Sequence, residues 1–136
     1  MSAFLTIPAA LTAVDRARGF LKDVLRTSAL SEDDRFQLDL VLVEIIINIV
    51  RYGYPAEAGE IHLSIDVGPD EVRLEFRDRG ISFDPRSAPE PALEKLLSGG
   101  RRGGLGIHLV RKFTDEMSYR RDGEENVLSL RKSVNN

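Results

Sequence analysis

VLVEIIINIV, residues 41–50, is apolar at every position but two, and the exceptions are Glu44 and Asn48. Four residues apart on a helix, the two share one face, one turn above the other. An ionised carboxylate on so apolar a face costs several kcal/mol unless something compensates it. Glu44 therefore calls for a partner, a metal or a water-filled pocket. A hydrogen bond to Asn48 or to a neighbouring strand meets that demand as well as a functional role does.

The helix carrying this pair has readable ends. Ser31 followed three residues later by Asp34 resembles a capping box, with Asp where Glu or Gln is usual, and Glu32 to Asp34 suit the positive end of a helix. Gly53 and Pro55 stop it, so the spacing predicts a helix from about residue 32 to Tyr52. Upstream, Leu11, Val14, Ala17, Phe20, Leu21, Val24 and Leu25 recur at helical spacing and predict an amphipathic helix. Phe4 to Ile7 read as a short strand, and Pro8, which lacks an amide hydrogen, places it at a sheet edge.

Downstream, Ile61, Leu63, Ile65 and Val67 alternate with polar residues, GPDE turns the chain, and Val72, Leu74 and Phe76 alternate again. The pattern is a β-hairpin with one buried face. Its period carries on to Asp78, which aims a second acid at the core side. An acid opening an Asp-Arg-Gly turn also serves as a strand terminator that bonds backbone amides. Residues 81–104 hold three prolines and paired glycines, with ALEKLL (92–97) able to form a short helix. Five of the eleven glycines fall in GGRRGGLG, 99–106, and Leu105, Ile107, Leu109, Val110 and Phe113 begin another helix. EMSYRR and NVLSLRK read as two strands joined across Asp122-Gly123. The expected fold is a single α+β domain over residues 1–136: a two-layer sandwich with three long helices on one face of a mixed sheet.

Composition bounds the function. A chain of 136 residues with no cysteine has neither a disulfide framework nor a thiolate metal site. Its net charge of −3 argues against nucleic acid or an anionic membrane as main partner. No basic leader and no run of about 18 apolar residues is present, which points to a soluble, cytoplasmic protein. The glycine cluster fits neither a P-loop nor a dinucleotide fingerprint. His62 and His108 have no cluster of ligands around them and receive no chemistry.

Taken together, Glu-x-x-x-Asn on a helix, Asp-x-Gly after a strand and Gly-x-Gly opening a helix resemble the Bergerat ATP-binding fold of histidine kinase catalytic domains, gyrase-type ATPases and anti-sigma-factor kinases. The three boxes read EIIINIVRYGY (44–54), DRGISFDP (78–85) and RGGLGIHLV (102–110). The brevity and spacing look most like the bacterial anti-sigma-factor serine/threonine kinases, over nearly the whole chain. The resemblance implies ATP and Mg²⁺ as cofactors, with Asn48 as metal ligand and Glu44 as general base. It implies Asp78 as acceptor for the adenine amino group, Gly80 passing beneath the base, and Gly104, Leu105 and Gly106 at the phosphates below a lid spanning about 85–104. Arg102 matches an arginine that meets the terminal phosphate. A sigma factor, an antagonist protein that is phosphorylated, and a homodimer are the implied partners. Ser82 replaces a second glycine common in relatives, and RYGY departs from the usual Arg-His-Ala-Tyr, which leaves Arg51 and Tyr52 without an assigned role. A nucleotide-binding module without phosphate transfer is the rival reading. A detached histidine-kinase domain is weaker, because no helical segment with a phospho-accepting histidine precedes the first strand.

Overall fold

In a computed structural model, residues 1–53, 59–82, 84–85 and 102–134 are described. Strand β1 (Ser2–Pro8) is followed by a 3-10 turn (Leu11–Ala13), helix α1 (Val14–Leu25) and helix α2 (Glu32–Asn48), which runs into a π turn (Ile49–Gly53). The hairpin β2 (Glu60–Val67) and β3 (Glu71–Asp78) comes next, then α3 (Arg102–Phe113), β4 (Glu116–Asp122) and β5 (Glu125–Ser133). The five strands lie in the order β1-β2-β3-β5-β4, and three helices cover one face.

Every strand pairing is antiparallel, where a mixed sheet was expected. The reason lies in the connections. Two helices separate β1 from β2, so the chain returns in the opposite sense. The single-helix crossover through α3 does join two parallel strands, β3 and β4, but β5 inserts between them and pairs with both. The expected edge strand holds: β1 pairs only with β2, and Pro8 ends it.

The core lies between the sheet and the helices. Ile61, Leu63 and Ile65 of β2, with Val72, Leu74 and Phe76 of β3, are buried against Ala17, Leu21 and Leu25 of α1 and Leu38, Val41, Leu42, Ile45 and Ile46 of α2. α2 sits between the other two helices, which is why it is apolar around most of its circumference. Ser31 Oγ accepts from the Asp34 amide at 3.1 Å, as the capping pattern requires. Asp34 does not close the box in the usual way: its carboxylate lies 3.7 Å from Lys132 Nζ.

Three boundaries differ from the sequence reading. The α-helical part of α2 ends at Asn48 rather than Tyr52, the remaining turn being π-type. Leu11 leaves the buried stripe, half exposed in its 3-10 turn. The β4–β5 connection is Gly123-Glu124, one residue later than expected. Asp122 pairs with Glu125, and Gly123 at φ +62° occupies the first turn position, where a type II′ turn favours glycine. The expected helix at 92–97 and most of the expected lid lie outside the described residues.

Candidate functional site

Two polar residues on different layers meet at the same end of the domain. Asn48 is the last α-helical residue of α2 and Asp78 the last residue of β3; both are buried. They line one narrow cleft of about 30 Å³ together with Ile45, Ile49, Ile81, Pro85, Tyr119, Asn126 and Leu128. Apolar walls with a few convergent polar groups are the usual composition of a small-molecule site. The π turn starts at Ile49, immediately after Asn48, and such turns occur often at functional positions.

Asp78 reaches the cleft by the strand parity read from the sequence, its register partners being Ile61 on β2 and Asn126 on β5. Oδ1 accepts from the Gly80 amide at 2.8 Å and from Asn126 Nδ2 at 3.1 Å. The first bond is the strand-terminating turn that the residue type suggests. Among the described residues, nothing donates to Oδ2. One carboxylate oxygen builds the turn and the other is left to the cleft. Burial pushes the carboxyl up from the ordinary aspartate range, and Glu125 adds to this. The bonds from Asn126 and Gly80 and the charge of Arg121 oppose it.

Asn48 and Glu44 are likewise uncommitted. Among the described residues, neither side chain makes a hydrogen bond or ion pair, so the structural alternative of a Glu44–Asn48 or Glu44–strand bond is not what is found. Glu44 is half-buried and sits one turn back from Asn48, against α3. Gly106 makes that approach possible: a Cβ there would overlap Glu44 Oε2 and stand 3.0 Å from Cδ and 3.3 Å from Cβ. Gly106 and Glu44 are thus in contact across the α2–α3 interface. Gly80, buried after β3, donates the turn bond to Asp78 Oδ1.

Arg102, Gly104 and Leu105 fall in the first turn of α3, the helix that Gly106 docks on α2; the Arg102 and Leu105 side chains lie outside the described residues. His62 lies on the exposed sheet face, 2.9 Å from Thr6 Oγ1. Among the described residues, no three acidic or histidine side chains gather as a metal cage.

The sequence reading missed the layer beneath Asp78. Asn126 Oδ1 accepts from Tyr119 OH at 2.6 Å and Arg121 Nη1 at 3.1 Å, and Arg121 also donates to the Gly80 carbonyl at 2.8 Å. Ser82 Oγ is 3.2 Å from Tyr119 OH. The parity of NVLSLRK does put Asn126 on the side of Leu128 and Leu130. The register that sets it opposite Asp78 is a property of the assembled sheet.

The chain is similar to known proteins over most of its length. The chain is 38% identical over 91 residues to the serine/threonine-protein kinase BtrW of Bordetella bronchiseptica, covering 65% of this chain and 64% of that protein's length. It is 28% identical over 126 residues to the serine-protein kinase RsbW of Staphylococcus epidermidis, covering 88% of this chain and 79% of the relative. Among solved structures, the SiaB-SiaC complex of Pseudomonas aeruginosa contains a chain of similar fold, at TM-score 0.55 and 14% identity, covering 97% of this chain and 89% of that one. The histidine kinase AdeS of Acinetobacter baumannii has a similar fold at TM-score 0.53 and 17% identity, covering 98% and 68%. The histidine kinase-like ATPase domain matches residues 7–132, nearly the whole chain, and the protein belongs to that family.

Proposed function

We propose that this protein is an ATP-dependent serine/threonine kinase that acts as an anti-sigma factor and phosphorylates an antagonist protein in a partner-switching pathway. One observation carries the reading. Asp78 keeps one oxygen free and Asn48 its whole amide at the cleft, and the half-buried Glu44, one turn back along α2, makes no hydrogen bond or ion pair among the described residues. Among the described residues no sealed side-chain nitrogen or oxygen lacks a partner, so these free atoms are open to solvent, where a ligand can reach them. The kinases to which the chain is similar support the choice of reaction.

The residues present fit adenine nucleotide. Asp78 Oδ2 accepts from the exocyclic amino group, Ile45, Ile49, Ile81 and Leu128 enclose the ring, and Gly80 lets the backbone run beneath it. Asn48 would offer a neutral oxygen to Mg²⁺, which would neutralise charge on the phosphates; a single protein ligand is in keeping with how little of an Mg²⁺ shell proteins usually supply. Bound ATP supplies the transferable phosphoryl group. Glu44 accepts the proton of the attacking hydroxyl, Arg102 neutralises charge at the terminal phosphate, and the backbone of Gly104, Leu105 and Gly106 contributes amides at the start of α3. The segment 85–104 serves as the lid. Sigma factor and antagonist are the protein partners, with the chain acting as a cytoplasmic homodimer.

Calorimetry with ATP and GTP in the presence of Mg²⁺ tests the nucleotide assignment. Wild-type protein should bind ATP and reject GTP. Asp78→Asn should weaken ATP binding about 10- to 100-fold, because the amide turns a donor toward the adenine amino group. Equal affinities for ATP and GTP, or for wild type and variant, contradict the reading.

A further inference from the structure

The polar layer beneath Asp78 is directional. Asn126 Nδ2 is surrounded by three oxygens: Asp78 Oδ1 at 3.1 Å, the Ile81 carbonyl at 3.1 Å and the Gly80 carbonyl at 3.4 Å. Its Oδ1 faces two donors, Tyr119 OH at 2.6 Å and Arg121 Nη1 at 3.1 Å. A flipped amide would set oxygen against three oxygens and NH₂ against a guanidinium, so only one orientation satisfies its surroundings. Tyr119 spends its proton on Asn126 and is left to accept from Ser82 Oγ, 3.2 Å away. The donors therefore run one way, from Ser82 to Tyr119 to Asn126 and, through one of its two amide protons, to Asp78.

We propose that Asn126, oriented by Tyr119 and Arg121, is a positioning residue that holds Asp78 as a one-way hydrogen-bond acceptor and thereby sets the site's preference for adenine over guanine. Asp78 can take the adenine role only while its free oxygen carries no proton. Asn126 donates to the carboxylate and has no acceptor to offer a protonated acid, because its own oxygen is turned away and filled. It also ties the Gly80 and Ile81 carbonyls, so the turn beneath the base and the carboxylate are held by one side chain. Burial works against the ionised form, as does Glu125; Arg121 and the two donated bonds work for it. Removing the Asn126 donor should tip that balance. The inference rests on the nucleotide reading above for its consequence, while its first step, control of the Asp78 proton, is measurable without nucleotide.

The sharpest variant is Asn126→Asp, which puts two carboxyls side by side so that the pair retains a proton to higher pH; carried on Asp78 Oδ2, that proton is a donor where guanine presents a carbonyl. Tyr119→Phe is the milder control, removing one bond that orients Asn126. Carbon-detected NMR of the ligand-free proteins should show Asp78 titrating at higher pH in Asn126→Asp and shifted in the same direction by less in Tyr119→Phe. Calorimetry at neutral pH should show ATP affinity lowered at least about 10-fold in Asn126→Asp, with the ATP-to-GTP ratio compressed by a similar factor. ATP affinity in Tyr119→Phe should fall only a few-fold. An unchanged Asp78 titration in both folded variants overturns the inference, whatever binds. An unchanged ATP-to-GTP ratio beside a shifted titration overturns the specificity claim. Wild-type protein that binds neither nucleotide overturns the nucleotide reading instead, and leaves the titration to decide the positioning role.

Discussion

In the proposed nucleotide site, stability and function would meet at a single carboxyl, that of Asp78. Burial raises its pKa above the ordinary value of 3.8, so between the two values the folded protein holds a proton that the unfolded chain has released. Stability then falls as pH rises through that window, and at neutral pH the domain carries the cost of a buried, ionised acid. Asp78→Asn removes this cost and keeps an oxygen to accept from Gly80 and Asn126. Thermal melts should therefore show the variant at least as stable as wild type at pH 7, with the difference shrinking on acidification toward pH 4, even as it loses ATP. A variant that melts well below wild type at pH 7 would mark Asp78 as structural. In wild type, ATP affinity should fade on acidification at a higher pH than an ordinary aspartate would allow. The sequence disclosed Asp78 through strand parity and Asn48 and Glu44 through their conflict with an apolar helix. It did not disclose Asn126, Tyr119 or Arg121, because a polar residue on a strand looks the same whether it faces water or a buried acid across the ladder.

Between elements, the contact that matters most is α2 against α3, where Gly106 meets Glu44. Gly106→Ala favours the helix by up to about 1 kcal/mol in propensity but forces the Glu44 carboxylate aside. The melting temperature should move little, while phosphate transfer should fall about 10- to 100-fold, since small displacements of a catalytic group are costly. A fully active variant would show that the position of Glu44 is not critical. At the far end of α3, buried Lys132 donates to the Phe113 carbonyl at 2.7 Å and to Gln37 Oε1 at 2.9 Å, and lies near Asp34. Lys132 ends the inward series of β5 that begins at Asn126, a position the sequence pattern alone assigns to an apolar residue. Lys132→Met should cost about 1–3 kcal/mol in chemical denaturation, because it leaves an acceptor at the end of α3 and Asp34 unpaired. No loss would mean that α3 is anchored by packing alone.

Across the whole molecule, the element order and the two-layer arrangement were legible because apolar period changes cleanly between helix and strand, and because caps and turns fall at the changes. Strand direction was not legible. That the sheet is antiparallel throughout follows from β5 returning between β3 and β4, a long-range choice that no local pattern encodes. No described helix is long and apolar enough to cross a membrane. Phosphoryl transfer, as opposed to merely holding nucleotide, is the proposed role of this assembly, and Glu44 is where the two differ. The decisive measurement is transfer of label from γ-³²P-ATP with Mg²⁺ to the antagonist protein recovered with this chain from native lysate, using wild type and Glu44→Gln with ATP affinity measured in parallel. Wild type should label a serine or threonine, and Glu44→Gln should do so about 10²- to 10⁴-fold more slowly at nearly unchanged ATP affinity. No transfer by wild type, or transfer by Glu44→Gln at the wild-type rate, would contradict it.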